Sequence, residues 1–60
     1  MKWDLEIRGG HRIFTAGRFR ILQTASDVAL EHHSLPVLFY PTVDMAKRVA
    51  LYLFKGGMAT

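Results

Sequence analysis

The stretch RGGHRIFTAGRFR, residues 8–20, decides the fold. It holds two turn signals, Gly9-Gly10 and the TAGR of residues 15–18, with alternating residues on either side. Gly9-Gly10 supplies two positions free to take positive φ, as a tight hairpin requires. Upstream, KWDLEIR (2–8) alternates strictly, with Trp3, Leu5 and Ile7 on one side and Lys2, Asp4, Glu6 and Arg8 on the other. That is the pattern of a half-buried strand. A second strand is expected from His11 to about Thr15. After the next turn RFRILQT (18–24) alternates again, with Phe19, Ile21 and Gln23 on one face and Arg18, Arg20, Leu22 and Thr24 on the other. A three-stranded antiparallel meander is the economical reading.

Residues 25–36, ASDVALEHHSLP, read two ways. Ser26 can cap a short helix through Val28, Leu30 and Glu31, or Ser26-Asp27 can turn the chain into a strand containing Val28 and Leu30. The helix is the favoured of the two. PVLFY (36–40) is β-branched and aromatic with no polar side, as in a strand buried on both faces or facing a partner. Beyond it, Thr42 is an expected N-cap, Asp44 suits the first turn, and Lys55 and Gly56 supply C-terminal signals. Within this helix Val43, Ala46, Val49, Ala50, Leu53 and Phe54 form an apolar face opposite Asp44, Lys47, Arg48 and Lys55, with Asp44 placed to pair with Lys47 or Arg48. Leu51 falls on the polar side, and Met45 and Tyr52 at its margins. The expected architecture is α+β: a small antiparallel sheet, made of a three-stranded meander plus a fourth apolar strand, packed by one C-terminal α-helix.

Sixty residues make one domain, 1–60, with a small core and little stability to spare. There is no cysteine, so disulfides and thiolate zinc sites are excluded. Half the residues are hydrophobic, and association is the remaining way to offset chain entropy. A homo-oligomer is therefore expected, with Phe39, Met45, Leu51 and Tyr52 as self-association or partner contacts. The apolar runs fall short of the roughly 18 residues a membrane span needs, and the opening lacks a signal peptide's continuous apolar core. A soluble, cytoplasmic protein without a membrane partner is the expectation. The opening Met fits a complete small reading frame of the kind common in phages and mobile elements.

The formal charge of +3 is concentrated in the first third, where Lys2, Arg8, Arg12, Arg18 and Arg20 outnumber Asp4 and Glu6. If the meander turns Trp3, Leu5, Ile7, Ile13, Phe19 and Ile21 inward, the five basic residues project outward together, with Phe14 beside Arg12. Guanidinium groups and one stacking ring are what nucleic-acid surfaces use. The order of elements, a three-stranded sheet and then a helix, resembles AP2-type domains and the arm-binding domains of tyrosine recombinases, with Ala25 to Pro41 inserted before the helix. That resemblance implies DNA binding through the sheet. The first functional expectation is a small non-enzymatic regulator or inhibitor in nucleic-acid processes, contacting DNA or RNA through Lys2, Arg8, Arg12, Phe14, Arg18 and Arg20. The alternative is a protein-interaction module, an inhibitor or adaptor that covers the surface of a larger, nucleic-acid-handling protein. Arginine and aromatic residues are equally at home in such interfaces.

Catalytic chemistry has no motif here. His32 and His33 are adjacent and diverge in either a strand or a helix, so no metal site is expected and solvated histidines are the better reading. The serines and threonines lie outside any nucleophile elbow, and the glycine pairs lack the context of a phosphate loop. No cofactor and no enzymatic activity are expected.

Overall fold

A computed structural model describes residues 2–56 of the chain. The first hairpin joins β1 (Asp4–Arg8) to β2 (His11–Ala16). Gly9 and Gly10 have φ of 59° and 81°, the double left-handed geometry of a type I′ turn. A loop of two residues leaves no choice of register: Arg8 lies opposite His11, Ile7 opposite Arg12 and Leu5 opposite Phe14. The second turn places Gly17 at φ 60° and Arg18 at negative φ, closing β2 onto β3 (Phe19–Gln23) with Ala16 opposite Phe19.

The segment whose helical form was favoured is instead a strand, β4 (Val28–His32). Its entry is organised by Thr24, whose Oγ accepts from the backbone N–H groups of Ser26 (3.3 Å) and Asp27 (3.2 Å), while Thr24 N–H donates to the Asp27 carbonyl at 3.0 Å. Tertiary burial explains the outcome. As a strand the segment places Val28, Leu30 and His32 beside Gln23, Ile21 and Phe19, each of the three at most 5% exposed, whereas an isolated helix so short is unfavourable. Two more residues, His33 and Ser34, turn the chain into β5 (Leu35–Tyr40). The sheet thus has five antiparallel strands, not four, in the order β1-β2-β3-β4-β5.

The helix α1 (Val43–Lys55) follows and lies over β3, β4 and β5. Thr42 caps it, its side chain accepting from Met45 N–H at 3.1 Å, and Asp44 pairs with Arg48 at 3.4 Å. Gly56 ends the helix at φ −80°, so the left-handed freedom of glycine is not used there. Thr42→Ala should lower stability by about 1 kcal/mol, a loss measurable as a lower urea midpoint at unchanged m-value.

Ala46 and Ala50, one turn apart and fully buried, let the helix approach Phe19, Ile21, Val28 and Leu30. Val43, Val49, Leu53, Trp3, Phe14 and Tyr40 pack around that cluster. Phe54, expected on the buried face, is 44% exposed instead, because the helix rotates its alanine seam onto the sheet. PVLFY is not buried on both faces either. As the edge strand it has α1 on one side only, and Val37, Leu38 and Phe39 remain exposed.

Candidate interaction surfaces

The hairpin register divides the expected basic face. Arg8 and Arg20 lie on the open side of the sheet, away from α1. Arg12 and Phe14, opposite Ile7 and Leu5, lie on the helix side. Ile13, expected inside, is on the open side between Glu6 and Leu22. The glycine pair already contained this information, because a two-residue loop obliges Arg12 to share a face with Ile7.

The open side is not a basic surface. Its strand residues include Asp4, Glu6 and Glu31 against Arg8 and Arg20. Arg8 donates to Glu6 at 2.6 Å, and Arg20 holds Glu31 through Nε (2.8 Å) and a terminal nitrogen (2.7 Å). Such exposed pairs contribute little to stability, but they occupy the guanidinium donors a phosphate would need. A row of Ile13, Leu22, Ala29 and Phe39 crosses the middle of this side, in which Ala29 is buried and Phe39 is 65% exposed. Arg18 sits on the second turn. With Arg20, Glu31, His33 and Val37 it borders a shallow depression of about 470 Å³.

His32 is not solvated. It is 5% exposed, its ring 4.8 Å from Phe19 and stacked on His33 at 4.7 Å, and its Nδ1 accepts from Ser34 N–H at 3.1 Å. Its position on the helix side of β4 buries it. His33, one residue on, is in the turn and exposed. Among the described residues, no three His, Asp or Glu side chains gather in a metal-binding arrangement.

The helix side carries a feature that composition alone did not reveal. Because α1 lies over three strands of five, β1 and the Arg12 end of β2 extend beyond it as a shelf that no described element covers, while Ala16 at the other end of β2 is buried. Leu5 is 54% exposed and Ile7 68%, although both point to the side on which the core lies. Half-buried Phe14 and Trp3 form the inner boundary of the shelf against the core. Lys47 reaches across from α1, its Nζ 4.7 Å from the Phe14 ring centre and 6.0 Å from that of Trp3. Arg12 stands beside Ile7, exposed, with no carboxylate partner among the described residues. Met45, Leu51 and Tyr52 lie on the outward surface of α1, 45%, 38% and 78% exposed.

No protein-family model matches the chain, and no match was found among curated proteins or solved structures.

Proposed function

We propose that this protein is a small, non-enzymatic interaction module, an inhibitor or adaptor that docks on a larger protein through the shelf of β1 and β2. The observation that carries the proposal is the exposure of Leu5 and Ile7 on the core side of the sheet. A helix layer that stops after three strands leaves aliphatic side chains in water at a cost of about 25 cal/mol per Å². Contiguous apolar surface with a cationic edge is what partner sites present. Nucleic acid is the weaker of the two expected partners. Arg8 and Arg20 are engaged by carboxylates, Arg12 faces the other way, and Phe14, the ring expected to stack on a base, is half-buried with Lys47 over it.

The test is affinity capture from a lysate of the source cells, with the wild-type chain and the Leu5→Lys/Ile7→Lys double variant immobilised side by side. Both positions are more than half exposed, so the variant should melt within about 2–4 °C of the wild type. Proteins retained by the wild type and lost from the variant carry the proposal. Identical retained sets would sink it. In parallel, fluorescence anisotropy of labelled single- and double-stranded DNA and RNA, from low to physiological salt, should show no binding that depends on Arg18 and Arg20. A linear fall of log affinity with log salt that is abolished by Arg18→Ala/Arg20→Ala would move the function to the nucleic-acid class.

A further inference from the structure

We infer that the occupant of the shelf is an amphipathic α-helix of the partner protein, with an apolar stripe and acidic residues on the flank that meets Arg12 and Lys47. The inference rests on the protein-interaction proposal and narrows it to one kind of segment.

Size comes first. The shelf is floored by Leu5 and Ile7 of β1 and Arg12 of β2 and walled on its inner side by half-buried Phe14 and Trp3, so its floor is between one and two strands, about 5–10 Å, wide, room for one helix of roughly 10 Å diameter and no more. Five residues of β1 span about 17 Å, or roughly three helical turns. The shelf therefore has the dimensions of one missing helix, beside α1 and in the same layer. A sheet buries an apolar face by packing another element on it, and this one does so for β3 to β5 alone.

Charge decides which helix. Along the inner edge of the shelf stand Arg12, without a carboxylate partner among the described residues, and Lys47, held over Phe14. Arg12 and Phe14 are two residues apart on one face of β2, about 7 Å between their Cα atoms, so Arg12 and the Lys47 held over Phe14 belong to the same stretch of that edge. Carboxylates at i and i+4 on one flank of a helix lie about 6 Å apart along its axis, so a single flank supplies a partner for each cation. A second copy of this chain does not supply such a helix. Its α1 bears Lys47, Arg48 and Lys55 against Asp44 and would bring like charge to the edge.

The experiment is a selection against the full 60-residue chain with two displayed libraries, one of 14-residue helices held in a rigid scaffold and one of extended and disulfide-cyclised peptides. The Ile7→Lys variant serves as counter-target. The expected winners come from the helical library, share an apolar i, i+3, i+4, i+7 stripe and carry Asp or Glu on one flank. A synthesised winner should bind Ile7→Lys about 100-fold more weakly and Arg12→Glu about tenfold more weakly than the wild type. Winners confined to the extended and cyclic library, yet lost on Ile7→Lys, would overturn the helix while leaving the shelf as a protein-docking site. Helical winners with neutral or basic flanks would overturn the charge assignment and the inference with it. Absence of enrichment over the counter-target in both libraries would remove the shelf itself. Sedimentation of the wild type as a dimer that Ile7→Lys dissociates would give the shelf to a second copy and overturn the inference.

Discussion

Phe19→Ala should leave the chain largely unfolded at 25 °C. Phe19 is 1% exposed and joins Ile21, Val28 and Leu30 beneath the alanine seam of α1, with the His32 ring 4.8 Å away. Truncating a fully buried phenylalanine removes its transfer free energy and leaves a cavity, together about 3–5 kcal/mol. A core in a chain this short supplies about 3–5 kcal/mol in total, so the loss consumes the margin. Far-UV circular dichroism and amide chemical-shift dispersion should both collapse in the variant. The control is Phe39→Ala, at a residue 65% exposed on the opposite side of the sheet, which should melt close to the wild type. If the two variants behaved alike, the helix would not cover the side of the sheet on which Phe19 lies.

The second large effect concerns the gap between layers. Ala50 is fully buried where α1 meets the sheet, and Ala50→Leu adds three carbons to a space already filled by Ile21, Leu30 and their neighbours. Overpacking of this kind costs about 1–3 kcal/mol, a large share of the roughly 3–5 kcal/mol that a core of this size supplies. The predicted result is a much lower urea midpoint with native-like spectra in the absence of denaturant. Leu51→Ala, one residue further along the helix but 38% exposed, should change the midpoint little. A destabilisation at Leu51 as large as that at Ala50 would mean the helix presents a different face to the sheet.

These contrasts show which features the residues announced. Gly9-Gly10 specified its own turn, because only glycine takes positive φ twice in succession at small cost, and Thr42, Asp44 and Lys55 marked both ends of α1 through local capping and charge. Local signals of this kind need no tertiary context. The face of β2 was harder. HRIFTA places Ile13 and Phe14 side by side, so either parity puts one apolar residue in the core, and only the two-residue loop separates them. Phe54 read as buried, and PVLFY as buried on both faces or facing a partner, yet helical rotation left Phe54 exposed and an edge position left Val37, Leu38 and Phe39 exposed while Tyr40 packs on the core.

From the sequence by itself came the class, α+β without cysteine chemistry, together with the first two hairpins and the bounds of the C-terminal helix. Three features were decided only by tertiary structure. Residues 28–32 became a strand because Val28 and Leu30 find Ile21 and α1 as neighbours, a gain no local propensity contains. The arginines were split between two faces because strand register is a property of a pair of strands. Leu5 and Ile7 remained uncovered because a single helix spans three strands and no more, so burial ran out before the sheet did. Covering a surface depends on the area of the covering element, and no residue in β1 encodes where that element stops.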